Sequence, residues 1–211
     1  MKKTKVVVLG GIFAFVALIA GMALSQYTQA EKKIDPSQFH GTLLQKPRGV
    51  EQFNLVGVDN QPFNNKSLQG KWTMVFFGFT NCGYLCPTTM SELAKMYHIL
   101  EHEGVKPLPQ VVMISIDPNR DSLDTLKNYV STFDSHFYGA RGDEDKVKKM
   151  TREMGIAYSK VILPNAKDNK NYDMQHSGAV MLFNPKGELR AFFTTPHQAN
   201  LLAKDYQLLV G

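Results

Sequence analysis

Apolar and polar positions divide the chain into one long uncharged apolar run and a series of short alternating blocks. Val6 to Leu24 holds no charged residue over 19 positions, close to the length of a helix that spans a bilayer. Residues 26–46 are polar, with Glu31, Lys32, Lys33, Asp35 and Pro36 among them, and read as a tether. From about Val50 the periodicity switches back and forth between two and 3.6. Phe53 to Val58, followed by the turn residues Asp59-Asn60, predicts a hairpin. Trp72 to Phe79 is continuously apolar, as expected of a strand buried on both faces. Pro87 to Glu103 places Met90, Leu93, Ala94, Tyr97 and Leu100 at helical spacing, and Gly104 stops it. Val111 to Ile116 predicts a second buried strand. Asp121 to Phe133 predicts a helix with Leu123, Leu126, Tyr129 and Val130 on one face, and Asp143 to Met154 another, closed by Gly155. Ile156 to Leu163 reads as a strand. Ala179 to Phe183 and Glu188 to Phe193 form a hairpin about Asn184-Pro185-Lys186-Gly187, and a last helix runs from about His197 to Leu209.

Strands that alternate with helices and end in a hairpin and a helix predict an α/β sandwich with a central mixed sheet flanked by helices. The expected organisation is an N-terminal anchor at 1–25, a tether at 26–46 and one globular domain at 47–211. Groups that do chemistry in such sheets tend to sit at the carboxyl ends of strands.

Composition and charge narrow the function classes. Hydrophobic residues make up 43% and charged residues 20%, so general disorder is not expected. The net charge of +5 includes Lys2, Lys3 and Lys5, which precede the apolar run; beyond residue 25 the balance is 21 basic against 19 acidic. With no basic block and no aromatic-interleaved basic stripe, nucleic acid is not an expected partner. The three lysines favour a cytoplasmic N-terminus and an exported remainder. A cleaved signal peptide is the competing reading, with Ala23-Leu24-Ser25 and Thr28-Gln29-Ala30 as small-x-small sites. The run is longer than a typical signal core, which favours an uncleaved anchor through residues 6–24. The expected location is the cytoplasmic membrane, single-pass, with the domain on the periplasmic or extracytoplasmic side, where disulfides are permitted.

Both cysteines of the chain, Cys82 and Cys86, lie in Phe79-Thr80-Asn81-Cys82-Gly83-Tyr84-Leu85-Cys86-Pro87, at the carboxyl end of the first buried strand. Pro87 suits the first position of the following helix, which would put Cys86 at or near the N-cap. There the helix dipole favours thiolate, the form that attacks disulfides and binds metal. A purely structural disulfide is the bland alternative, but a bridge enclosing so few residues removes little unfolded-state entropy. Two thiolates select Cu(I), and an imidazole completes a three-coordinate site that also tolerates Cu(II). Zinc wants four ligands, and no further cysteine exists. Third-ligand candidates are His40, His98, His102, His136, His176 and His197. His176 stands out because it ends a polar loop, 165–175, just before a strand near Gly178. His98 and His102 are spaced for metal, yet they also complement a helix C-terminus. Met150 and Met154 fit core packing. His40 and His197 have no evident partner. In Ser115-Ile116-Asp117-Pro118-Asn119-Arg120-Asp121, Asp121 is the expected N-cap of the next helix; Asp117 and Arg120 share the cysteines' sheet edge with roles left open.

The chain resembles the SCO/SenC family of copper-binding assembly factors from about Gly41 to Leu209. The resemblance is carried by Gly41-Thr42-Leu43-Leu44, Phe53-x-Leu55, Phe77-Gly78-Phe79-Thr80-x-Cys82-x-x-x-Cys86-Pro87, Ser115-Ile116-Asp117-Pro118-x-Arg120-Asp121-x-Leu123-x-x-Leu126-x-x-Tyr129, Tyr172-x-x-x-His176-Ser177 and Asn184-Pro185-x-Gly187. It implies a thioredoxin-like fold behind a membrane anchor, and copper held by Cys82, Cys86 and His176. It also implies assistance in building the dinuclear copper centre of cytochrome c oxidase subunit II, or of another copper or thiol protein. The chain departs from the family pattern in two places. Gln175 stands where an acidic residue often precedes the histidine, and Gly83-Tyr84-Leu85 stands where Pro-Asp or similar is common.

The alternative is a membrane-anchored thiol–disulfide reductase with Cys82 and Cys86 as the redox pair. Cys82 would attack and Cys86 would resolve. Thioredoxin-like reductases usually have two residues between the cysteines and a cis-proline before the corresponding strand. Here three residues intervene, and there is no proline from Asn165 through Asn184. A peroxidase of the peroxiredoxin type fits less well, because Gly83 occupies the position its cysteine would need. The copper carrier is therefore the preferred expectation.

Overall fold

A computed structural model of the chain describes residues 34–162 and 172–211. The apolar run 6–24 and most of the expected tether lie outside the described residues. Among those described, no helix is long and apolar enough to cross a membrane.

The core is an eight-stranded mixed sheet. Its strands are β1 (Thr42–Arg48), β2 (Asn54–Gly57), β3 (Pro62–Asn64), β4 (Thr73–Gly78), β5 (Gln110–Ser115), β6 (Tyr138–Arg141), β9 (Val180–Phe183) and β10 (Leu189–Phe193). Their spatial order is β1-β10-β9-β4-β5-β6-β2-β3. β4, β5 and β6 run parallel, and the remaining pairings are antiparallel. β4 is central, buried at every position from Thr73 to Gly78, which is why it reads as an unbroken apolar block. Among the described residues, four α-helices flank the sheet: α1 (Leu85–His102), α2 (Leu123–Ser131), α3 (Glu144–Met154) and α4 (Ala199–Val210). α1 buries Met90, Leu93, Ala94, Met96, Tyr97 and Leu100. It packs on α4, whose Tyr206 is fully buried and donates a hydrogen bond to the Pro107 carbonyl at 2.7 Å. α3 ends as its glycine predicts: Gly155 adopts φ 72° and donates to the Arg152 carbonyl.

Two expectations need correction. First, the compact unit runs from Asp35 to Gly211, so the tether does not reach residue 46. β1 is an edge strand paired with β10, and its Pro47 is tolerated because an edge strand need not donate on its open side. His40 belongs to this unit too. Its Nδ1 lies 2.8 Å from a carboxylate oxygen of the fully buried Asp205, which also accepts the His40 and Gly41 backbone N–H groups. Second, the segment before His176 is not all loop. Tyr172–His176 forms β8, which pairs antiparallel with β7 (Tyr158–Ile162) in a separate two-stranded sheet. One strand has no counterpart in the sequence reading: β6 is hidden by its composition, Tyr138-Gly139-Ala140-Arg141. The glycine is required there, since a Cβ on Gly139 would sit 2.7 Å from Leu126 of α2.

Candidate metal centre

β4 runs out at Gly78 beneath the thiol loop, and the geometry there leaves no room for a side chain. A Cβ on Gly78 would stand 2.6 Å from the Phe76 ring and 3.1 Å from the Cys86 sulfur. Beyond it, Thr80 is held from below: its N–H and hydroxyl both donate to Asp121, the hydroxyl at 2.6 Å. Ser115 at the end of β5 donates to the same carboxylate at 2.6 Å. Asp121 is therefore not the cap of the following helix. Ser122 is, accepting from the Thr125 N–H at 3.0 Å. Burial pushes the Asp121 carboxyl above its ordinary 3.8, against the hydrogen bonds from Ser115 and Thr80.

α1 begins two residues earlier than its proline suggests, at Leu85. Tyr84 is the N-cap and offers no side-chain capping bond, so Cys86 and Pro87 both fall inside the first turn. The Cys82 sulfur takes the capping role, accepting the Cys86 backbone N–H at 3.3 Å. A helix N-terminus leaves such donors free, and a sulfur accepting one is stabilised as thiolate. The two thiols differ sharply. Cys82 is half-buried, and its pKa is drawn down to about 4, chiefly by the hydrogen bond from the Cys86 thiol and further by His176. Cys86 is fully buried, and its pKa is pushed well up by donating to Cys82 and by burial. One negative charge shared by two sulfurs, with the outer one carrying it, accounts for both directions.

His176 closes the group. It is the last residue of β8, and its Nε2 lies 3.3 Å from the Cys86 sulfur. The three ligand atoms of Cys82, Cys86 and His176 all lie within 4.8 Å of one another; among the described residues no other His, Cys, Asp or Glu group of this kind could hold an ion. The ring is steadied by the faces and edges of Phe76 and Phe79, with centroids 5.8 and 5.9 Å away. Its Nδ1 is buried and has no hydrogen-bond partner among the described residues. No carboxylate among the described residues is bonded directly to this imidazole, so its ring contacts are with Phe76 and Phe79. Just beyond it, Gly178 adopts φ 68° and turns the chain back into β9. A Cβ there would also stand 2.7 Å from Thr195 and 3.1 Å from Leu85.

The other histidines lie elsewhere. His98 and His136 flank the Asp134 carboxylate at 3.4 and 2.9 Å, and His102 takes no part. His197 lies 2.8 Å from the Gly178 carbonyl through Nε2, so it has the partner that sequence did not reveal. Met150 and Met154 are buried core residues, as expected. Two further residues bear on the site. The hydroxyl of Tyr129 on α2 is buried without a hydrogen-bond partner among the described residues. Burial, then the negative charge of the nearby thiol pair, pushes its pKa up, so it stays a phenol. Its place on the apolar face with Leu126 and Val130, and at the end of the motif that begins at Ser115, marks it in the sequence, though neither assigns it a role at the site. Tyr172, at the far end of β8, donates to Asp117 at 2.6 Å and is held as a phenol, its pKa pushed up to about 12 by burial and that bond.

Two soft sulfurs and one imidazole at hydrogen-bond and van der Waals separations suit a thiophilic ion of low coordination number. The donor set is too small for a closed structural zinc site.

Comparison with known proteins supports this. A family model described as SCO1/SenC matches residues 41–211. A Stutzerimonas stutzeri protein described as copper-binding is 34% identical over 154 residues, 73% of each chain. The human mitochondrial SCO1 homologue is 32% identical over 181 residues, 84% of this chain and 57% of the human one. Bradyrhizobium japonicum ScoI, solved with copper bound, superposes with a TM-score of 0.65 at 30% identity, covering 77% of this chain and 99% of that one. Yeast Sco1, also solved with copper bound, gives a TM-score of 0.67 at 27% identity over 76% and 87% of the two chains. With its thioredoxin-like sheet, its paired thiols and a family match over its whole described globular unit but the first few residues, the chain belongs to the SCO1/SenC family.

Proposed function

We propose that this protein is a copper carrier that holds Cu(I) or Cu(II) between Cys82, Cys86 and His176 and hands it to an acceptor by ligand exchange. The observation that carries the reading is the convergence of three donors from two separate supports, a helix start and the end of a hairpin strand. Copper-bound relatives with this fold support it. Loading displaces the proton that the two sulfurs share, so uptake releases protons to solvent. Cys82 is half-buried and carries the charge in the free site, so it is the ligand that meets an incoming donor first; the fully buried Cys86 and the half-buried His176 hold the ion meanwhile. The acceptor is a copper or thiol protein, and the family resemblance points to the dinuclear copper centre of cytochrome c oxidase subunit II. Residues 6–24 anchor the domain to the cytoplasmic membrane, on its outer side.

The test is a copper titration of the reduced domain. Wild type is expected to bind about one Cu(II) with sulfur-to-copper charge-transfer absorption, and His176→Ala to lose that band and weaken binding at least tenfold. Full accessibility of both thiols to alkylation after copper addition would overturn the ligand assignment.

One observation favours a second reading, thiol–disulfide reduction. An outward, acidified Cys82 beside a buried, protonated Cys86 is the asymmetry of an attacking and a resolving thiol. Cys82 thiolate would open a target disulfide to a mixed disulfide. Cys86 would then close the Cys82–Cys86 bridge and release the target as a dithiol. Turnover of an oxidised acceptor peptide by wild type, abolished in Cys82→Ser, would establish it.

A further inference from the structure

His176 belongs to a hairpin that is not part of the main sheet. Among the described residues β8 pairs only with β7, and a two-stranded hairpin alone is marginally stable in water. Something must hold its position relative to the thiols, and the turn between β5 and α2 does so by hydrogen-bonding to both halves of the site. On the thiol side, the Ile116 N–H donates to the Gly78 carbonyl at 2.8 Å, and Asp121 receives Thr80. On the imidazole side, Asp117 and Arg120 close a circuit on Tyr172. The Tyr172 hydroxyl donates to one oxygen of Asp117 at 2.6 Å, and Arg120 Nε donates to the other. Arg120 Nη1 donates to the Tyr172 carbonyl at 2.8 Å, and its guanidinium lies 3.9 Å from the centre of the Tyr172 ring. Lys160 of β7 lies 3.7 Å from the centre of the same ring, so both strands of the hairpin are drawn to this point. Asp117 and Tyr172 are nearly fully buried, 2% and 6% exposed, where charge-assisted bonds are least screened by water. The turn itself is stiffened from within, by Arg120 N–H and Asp121 N–H donating to the Asp117 carbonyl and by Arg141 donating to Pro118 at 2.7 Å.

We propose that Asp117, Arg120 and Tyr172 are positioning residues that fix the His176 imidazole over the two sulfurs, so that the β5–α2 turn sets the geometry of the site from one place. The proposal rests on the reading of Cys82, Cys86 and His176 as one copper site. It does not require any of the three clamp residues to touch the ion. A planar guanidinium suits this task because it bonds a carboxylate and a carbonyl while stacking on a ring, which a lysine ammonium cannot do.

Two variants test it. Arg120→Gln removes the stack and the Arg120 bonds, and Tyr172→Phe removes only the hydroxyl bond while keeping the ring, so that one variant folds even if the other does not. Circular dichroism checks the fold. The first readout needs no copper: amide hydrogen exchange in the free protein. Residues 172–176 are expected to exchange about tenfold faster in Tyr172→Phe, the size of one buried charge-assisted bond, and faster still in Arg120→Gln, with β4 and β5 unchanged. The second readout is electron paramagnetic resonance of the Cu(II) form, where both variants are expected to lose nitrogen coupling and resemble His176→Ala. Hairpin exchange equal to wild type in both variants, or a uniform rise across β4, β5 and β8, overturns the clamp. Failure of the copper reading looks different: wild type and His176→Ala give the same copper spectrum, while the exchange data still decide whether the clamp holds the hairpin.

Discussion

β4, which leads into the thiol loop, is hydrogen-bonded on both sides, parallel to β5 and antiparallel to β9, and is buried at all six positions. β8, which ends in His176, has one partner, and its burial alternates: Tyr172 and Met174 inward, Asp173 and Gln175 outward. Its partner β7 is exposed at Ser159, Lys160 and Ile162. The sulfurs therefore stand on a support whose loosening amounts to unfolding the domain. The imidazole stands on one that can loosen while the sheet stays intact. On the copper-carrier reading proposed above, this places the adjustable ligand on the adjustable support.

The largest expected effect breaks the strong side. Phe77 is 1% exposed, next to the last residue of β4. Phe77→Ala should cost about 3–5 kcal/mol, because the central strand cannot collapse into the space left behind. Met174→Ala, on the hairpin, should cost about 2 kcal/mol or less, because its surroundings relax more easily. Urea denaturation of both variants measures the contrast, and equal losses would dissolve the distinction between the two supports.

A smaller effect sharpens the comparison at the junction of strand and loop. Gly78→Ala drives a methyl group toward the Phe76 ring and the Cys86 sulfur. Overpacking of this kind costs about 1–3 kcal/mol, and the cost falls on the sulfurs' spacing. Competition with a copper chelator should show a clear drop in affinity, with hydrogen exchange in β8 as in wild type. A drop accompanied by faster β8 exchange would mean that the two supports are coupled through Phe76, whose ring also lies against His176.

The same asymmetry governs what the sequence could reveal. β4 and β5 are legible because burial on both faces leaves a continuous apolar signature, and the paired cysteines at the strand end follow from it. α1, α3 and the β9–β10 hairpin announce themselves by 3.6 periodicity and by turn residues. β8 does carry an alternating pattern, but in Tyr172-Asp173-Met174-Gln175-His176 its inward residues are a tyrosine and a methionine set among polar neighbours, so it reads as loop. β1 reads as tether because Lys46, Pro47 and Arg48 suit an open edge. The helix starts were misread for a chemical reason. Pro87 and Asp121 are the residue types that open helices, yet here Cys82 takes the capping role for α1, and Asp121 is turned inward to hold Thr80 and Ser115. Long-range partners of this kind, like His40 with Asp205 or Tyr172 with Asp117, leave no local trace.

The smallest expected effect concerns that inward carboxylate. Burial raises the Asp121 pKa above the 3.8 it has when exposed, and this outweighs the hydroxyl donors that oppose it. Between 3.8 and the raised native value, the folded protein binds more protons at this residue than the unfolded chain does. Stability contributed by Asp121 is therefore greatest at low pH, falls as pH rises through that window, and is flat above it. Asp121→Asn should abolish this component while keeping an oxygen for Thr80. Urea midpoints for the two proteins between pH 4 and pH 7 should show wild type losing ground to the variant as pH rises, then a constant gap. A gap independent of pH throughout would mean that the carboxylate is ionised without penalty and that its donors, not its burial, set its state. Hydrogen exchange of β8 should be the same in both proteins, because Asp121 serves the thiol side of the turn and Asp117 the imidazole side.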